Sequence, residues 1–175
     1  FRMDTVNKRY KAMSDVLNYC HYSANPVGRI ILCLFEYNDP ELHRLSDFIC
    51  TALQLTNFWQ DIATDLEKDR IYIPLEDMER SGYSVSDLKS HTLNDSFRDL
   101  LSSEIEFTRD LFNKGRPLCT GVRKGLSIEL RAIWSGGMKI LEKIEQNGYD
   151  VFKKRPVITT MDKIRILSRA LTTGH

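Results

Sequence analysis

The chain is 175 residues long, with 42% hydrophobic residues, 28% charged residues and a formal net charge of +1. That length suits one domain with a real core, and the near-neutral balance gives no electrostatic argument for a nucleic-acid partner, which calls for a basic patch on one face. No apolar run approaches the roughly 20 residues of a membrane span.

In chain order, Met3, Val6, Tyr10, Met13, Leu17 and Cys20 recur in three- and four-residue steps, so the spacing predicts a helix over residues 3–22. Asn25-Pro26 reads as an N-cap followed by proline in the first turn, opening a short apolar helix through Leu34 or Phe35. Asn38-Asp39-Pro40-Glu41 repeats that start signal and opens a long helix running through residues 54–65. Pro74, Ser81-Gly82 and Asn94-Asp95 punctuate residues 66–95, with room for one short helix after Ser84, where SVSD is a capping-box variant. Phe97, Leu100, Leu101, Ile105, Leu111 and Phe112 return to helical period. After a break at Gly115–Gly121, a helix is expected from about Arg123 to Glu145, closed by Asn147-Gly148. A last short helix follows Thr159-Thr160 and carries Lys163, Arg165 and Arg169, read as a solvated face. The expectation is an all-α chain packed around a common centre. Cys20, Cys33, Cys50 and Cys119 form no CxxC pair and read as buried free thiols in a reducing compartment. No signal peptide is visible, and the first residues from Phe1 onward read as mid-helix, which suggests a chain beginning inside a longer protein.

Two stretches carry chemistry. In QLTNFWQDIATDLEKDRIYIP, residues 54–74, Gln54, Asn57, Asp61 and Asp65 fall within an arc of about 80° at ~100° per residue. Ala52, Leu55, Trp59 and Ile62 occupy the other side. Carboxylates at i, i+4 lie about 6 Å apart and repel unless a cation lies between them. The plain alternative is a wet helix face. Against it, two amides continue the line in an otherwise apolar helix. Oxygen-only donors on a rigid element suit Mg²⁺, which takes one or two carboxylates and completes its shell with water and phosphate. A magnesium-bridged diphosphate is the natural ligand, with Arg70 available for a further phosphate contact. In YCHYSANPVGR, residues 19–29, Tyr19 and Tyr22 stand one turn apart and Gly28 permits close backbone approach. By itself this reads as a helix–turn–helix corner. His21, His43, His91 and His175 offer no metal-ligand spacing.

Together the two stretches resemble the squalene/phytoene synthase family, through its Y-C-x-Y…VG segment and its second aspartate-rich motif. SANPVGR and NFWQD more narrowly resemble the hydroxysqualene synthase branch of the bacterial hopanoid pathway. The likeness weakens after about residue 95. It implies an isoprenoid synthase fold with a central apolar cavity, residues 1–175 forming the C-terminal part of a single catalytic domain. It implies Asp61 and Asp65 as Mg²⁺ ligands and Tyr19 beside the reacting carbocation. Gln54, Asn57, Arg70 and Tyr72 would face the diphosphate, Tyr22 the substrate, and Val27 and Gly28 the cavity wall. The substrate would be a prenyl diphosphate and NADPH is not expected. The protein would be cytoplasmic, with peripheral contact to the inner face of the membrane and other hopanoid-pathway enzymes as partners. Two departures matter. Gln60 stands where most relatives have arginine, a loss shared by the hydroxysqualene branch. The first aspartate-rich motif would lie ahead of Phe1, so this chain alone is expected to be inactive. The rivals are head-to-head condensation to presqualene diphosphate, squalene or phytoene, a non-catalytic assembly protein of the same fold, and an unrelated helical domain with Asp61 and Asp65 fully exposed.

Overall fold

A computed structural model describes residues 9–172, apart from the Lys124 side chain. Its helices are α1 (Met13–Ser23), α2 (Asn25–Leu34), α3 (Pro40–Gln60), α4 (Ile62–Glu67), α5 (Leu75–Arg80), α6 (Val85–Lys89), α7 (Asp95–Gly115), α8 (Lys124–Gln146) and α9 (Thr160–Thr172), with a 3₁₀ turn at Arg116–Cys119. The described residues contain no strand, only an isolated bridge between Arg9 and Ile71.

The start signals work by satisfying backbone N–H groups that a helix leaves open. Asp39 accepts from Glu41 N at 2.8 Å, and Asn94 from Phe97 N at 2.9 Å. Ser84 and Asp87 exchange bonds of 3.0 Å in a true capping box. Asn25 behaves differently from the sequence reading. Its carbonyl oxygen accepts from Thr51 Oγ1 at 3.0 Å, tying α2 to α3, and the cap position is Ala24.

α3 is the central element and packs most extensively on α7, then on α2 and α8. Trp59, Leu55 and Ala52 are sealed between them, with Phe97, Leu101, Ile105 and Phe112 of α7. The buried Trp59 indole donates to Thr108 Oγ1 at 2.8 Å, and Thr108 donates to the Glu104 carbonyl at 2.7 Å. A polar tip in the core thus keeps its partner. Glycine brings α8 against α7, because a Cβ at Gly137 would run into the Phe112 ring.

Four expectations change. The helix proposed over residues 3–22 begins at Met13; Met3 and Val6 lie outside the described residues. Tyr10 is buried in an irregular segment, whose Tyr10 and Lys11 carbonyls each accept at 3.0 Å from Leu75 N and Glu76 N. The long helix expected through Asp65 divides at Asp61 into α3 and α4, and α5 was not foreseen. Cys33 is exposed rather than buried; all four thiols are free.

Candidate functional site: a carboxylate pair at the end of α3

Asp61 sits at the junction of α3 and α4 with φ −106° and ψ 14°. The backbone ladder still crosses the junction: Asp61 N donates to Asn57 O at 2.9 Å, and Asp65 N to Asp61 O at 2.8 Å. The two carboxylates therefore stay on one line despite the break. Asp65 is half-buried, and burial first, then the charge on Asp61, raises its pKa above the usual carboxylate range, against the opposing pull of Lys68 and Arg70.

Asp61 has a partner that sequence reasoning missed. Arg155, on the linker before α9, forks onto it: Nη2 donates to Oδ2 at 3.0 Å and Nε to Oδ1. One residue earlier on α3, the buried Gln60 donates its amide to the Pro156 carbonyl. Neighbours 60 and 61 thus clasp neighbours 155 and 156. Proline biases the residue before it toward extended backbone, which suits an arginine reaching across from a linker. The signal in the sequence was the basic run Lys153-Lys154-Arg155 ahead of Pro156, with nothing in it to name its target.

After α4 the chain reverses at Asp69, whose φ of 56° is left-handed. Arg70 N donates back to Asp65 O at 2.8 Å, and Arg9 pairs with Asp69. This turn returns Arg70 and Tyr72 to the helix pair. Tyr72 stacks on Phe58, ring centroids 3.7 Å apart and nearly parallel at 7°. The buried Tyr19 lies 6.1 Å from Tyr72 and 5.9 Å from Phe58 between centroids. Asp65, Arg70, Tyr72 and Phe58 border a space of only about 10 Å³, about one water's worth. The stacked rings line this space, which among the described residues is far smaller than the apolar cavity expected beside the aspartates.

The remaining predicted residues do not converge on this point. Gln54 is half-buried and Asn57 exposed on the same line of α3. Tyr22 and Val27 are largely exposed, Val27 on an open apolar face of α2 with Ile30, Ile31 and Leu34. Gly28 faces α3, where a Cβ would collide with Ser46 Oγ and Cys50 Sγ. It sets the α2–α3 approach.

A larger hollow of about 510 Å³ lies between α7, α8 and α9, bordered by Arg109, Trp134, Glu142, Glu145 and Arg165. Size does not make it the site. Its acids are engaged, Glu145 with Arg109 at 2.7 Å and Glu142 with Lys139 at 2.9 Å.

No group of three or more His, Cys, Asp or Glu side chains suited to one metal occurs among the described residues. Two carboxylates with mutual electrostatic influence nevertheless fit Mg²⁺, which ordinarily draws no more than that from a protein when phosphate and water complete its shell. The donor set also matches a hard cation, being oxygen alone.

The all-α architecture, with a carboxylate pair at the end of α3 and Arg155 and Arg70 beside it, defines the class: a helical protein with an acidic and basic cluster at one helix end. The comparisons narrow it. The family model for squalene/phytoene synthase matches residues 1–162, and the chain belongs to that family. It is similar to the crystal structure of squalene synthase HpnC from Alicyclobacillus acidocaldarius, with TM-score 0.83 and 39% identity over 85% of this chain and 57% of that one. YisP from Bacillus subtilis shares the fold, with TM-score 0.83 at 23% identity, over 92% of this chain and 65% of that one. Among curated relatives, the 15-cis-phytoene synthase of Synechococcus elongatus is 31% identical over 97% of this chain and 59% of its own length. That of Synechocystis sp. is 32% identical over 95% and 53%. The chain thus has the isoprenoid synthase fold and spans little more than half the length of these curated relatives.

Proposed function

We propose that the complete protein is an isoprenoid synthase that converts presqualene diphosphate and water to hydroxysqualene and diphosphate. The observation that carries the reading is the Asp61/Asp65 pair with Arg155 hydrogen-bonded to Asp61. Asp61 and Asp65 would hold Mg²⁺, which when bound neutralises the leaving diphosphate as a Lewis acid. Arg155 balances Asp61 until an anionic ligand arrives and then becomes a cationic partner of that ligand, with Arg70 beside it. The Tyr19, Tyr72 and Phe58 rings keep bulk water from this end of the chain and offer π faces to a developing carbocation. The open apolar face of α2 is surface for prenyl tails. Water ends the reaction, so no hydride donor enters it.

Two features bear on the product. The identity to the squalene synthase HpnC structure, 39%, exceeds that to the two cyanobacterial phytoene synthases, which favours a C30 over a C40 skeleton. Gln60, whose amide is spent on Pro156, stands at the position where the family resemblance implies arginine in most members and its loss in the hydroxysqualene branch. A second reading, head-to-head condensation of two prenyl diphosphates, is favoured by the phytoene synthase names of the curated relatives.

The deciding experiment supplies the complete protein with presqualene diphosphate and Mg²⁺ in oxygen-18 water, without nicotinamide. A labelled C30 alcohol supports the proposal. Turnover of farnesyl or geranylgeranyl diphosphate alone, to an unlabelled product, replaces it with the second reading. Inertness toward every prenyl diphosphate removes both.

A further inference from the structure

Gln60 is the last residue of α3 and is buried, although it carries an amide. Burying an amide costs stability unless it finds a partner. Gln60 Nε2 donates to the Pro156 carbonyl, 96 positions further along the chain.

The identity of that acceptor matters. Proline has no N–H, so hydrogen bonding can hold its backbone only through the carbonyl. Other anchors end on either side of it. Lys153 N donates to Asp150 Oδ1 at 3.1 Å, and Thr159 N to Asp162 Oδ2 at 2.9 Å. Between them, among the described residues, the bond from Gln60 is the only hydrogen bond made by the backbone of residues 154–158. Burial follows the same pattern: Pro156 is buried, while Lys154, Arg155 and Val157 are exposed.

Arg155 lies in this span. It meets Asp61 in the open, with 47% of the arginine side chain and 26% of the aspartate exposed. Attraction between charges that exposed is weak, and a long arginine side chain loses rotamer freedom when it is held in one place. A fixed backbone lowers that cost. The Cα atoms of Arg155 and Pro156 are one peptide apart, about 3.8 Å, and proline biases the residue before it toward extended backbone. Holding the Pro156 carbonyl therefore fixes where the arginine side chain starts and which way it leaves. Gln60 and Asp61 are consecutive too, so amide and carboxylate grip the linker as a unit.

Arg29 offers a contrast within the same chain. It pairs with Asp47 from inside α2, a helix that the Thr51–Asn25 bond ties to α3. Its starting point is set by secondary structure. Arg155 has no helix beneath it, and Gln60 supplies the fixed point.

We propose that Gln60 is a positioning residue: by holding the Pro156 carbonyl, it sets the Arg155 guanidinium on Asp61. The consequence for ligand binding rests on the proposed reading, in which Asp61 and Arg155 receive a magnesium-bound diphosphate. Gln60 acts through the arginine.

The test uses the complete protein with Gln60→Met, which keeps a long side chain and removes its donor. The first readout needs no ligand. Nitrogen-15 NMR follows hydrogen exchange of Arg155 Nε–H, which donates to Asp61. The neighbouring Trp59 indole N–H, bonded to Thr108 Oγ1 at 2.8 Å, is the control for an intact core. Gln60→Met is expected to speed exchange at Arg155 toward the rate found in Asp61→Asn, and to leave Trp59 protected. Unchanged exchange at Arg155 overturns the proposal. Faster exchange at both positions also overturns it, since Gln60 is then a general core residue. The second readout is calorimetric binding of inorganic pyrophosphate with Mg²⁺. Gln60→Met is expected to weaken it about fivefold, Arg155→Ala about tenfold, and the double variant about tenfold, because an absent guanidinium leaves nothing to position. Losses that multiply to about fiftyfold overturn the proposal. No binding by wild type would remove the diphosphate reading of the pair, and the exchange measurement would still decide whether Gln60 places Arg155.

Discussion

Residues 54–74 and the linker at residues 147–159 meet at one point and could hardly be more different as sequence. The first declares its chemistry by spacing: amides and carboxylates along one line, large apolar residues along the other. The second is a turn, a basic run and a proline, and it reads as connection. Yet the second supplies Arg155 to Asp61 and takes up the amide of Gln60. A side chain's neighbours along a helix can be read from periodicity. A counter-charge delivered from 94 positions away cannot.

The comparison can be broken hardest at Asp61. If the 54–74 line is the chemical half of the site, Asp61→Asn in the complete protein should reduce turnover of its prenyl diphosphate by at least about a hundredfold, while thermal unfolding shifts little. Steady-state kinetics with a melting curve checks this. Unchanged turnover would reduce the line to a wet face.

The same stretch has a structural half, and there the expected loss is in stability. Trp59→Ala should cost about 3–5 kcal/mol by opening a cavity between α3 and α7. Thr108→Val, which leaves the indole N–H without its acceptor, should cost about 1–3 kcal/mol. Urea unfolding separates the two, and the order of the costs matters more than their size.

Glu104 on α7 sharpens the contrast from inside the core. Burial, with Asp77 beside it, pushes its carboxyl up to about 8 from an ordinary 4.5. Its folded pKa thus exceeds its unfolded one. The stabilisation from the neutral acid is complete below about 4.5 and is lost as pH rises toward about 8. Glu104→Gln should therefore gain stability relative to wild type between those limits, and hold a constant difference above them. Denaturant midpoints measured across this range read the effect directly.

The linker should show the smallest stability effect. Arg155 and Asp61 are both partly exposed, so their pair is worth less than about 1 kcal/mol to folding. Arg155→Ala should leave the melting temperature nearly unchanged while weakening binding of inorganic pyrophosphate with Mg²⁺ by about tenfold. An equal loss of stability and binding would make Arg155 a structural clamp instead.

Much of the fold was legible because caps and apolar periods agree over long elements: Asp39 before α3, Asn94 before α7, Ser84 before α6, Gly148 after α8. The misreadings share a cause, tertiary partners that outrank local pattern. Tyr10 and Lys11 continue a helical period but pair with the chain at Leu75 and Glu76. Asn25 looks like a cap and is spent on Thr51. α5 is six residues long, too short for a period to show. At the candidate site, Asp61, Asp65, Arg70 and Tyr72 stand in one motif of the sequence, and the turn at Asp69 brings the last two back toward Asp65. Arg155 lies outside that motif. Tyr22 and Gly28 come to the substrate only through the family resemblance; in the structure Tyr22 is exposed and Gly28 packs on Ser46 and Cys50.

The most direct measurement is calorimetric titration of the complete protein with inorganic pyrophosphate in the presence of Mg²⁺, for wild type, Asp61→Asn and Arg155→Ala. The account predicts binding by wild type, loss in Asp61→Asn, and about tenfold weakening in Arg155→Ala with the fold intact. Wild-type affinity in both variants would contradict it, and would show that neither the carboxylate line nor its distant arginine holds the diphosphate.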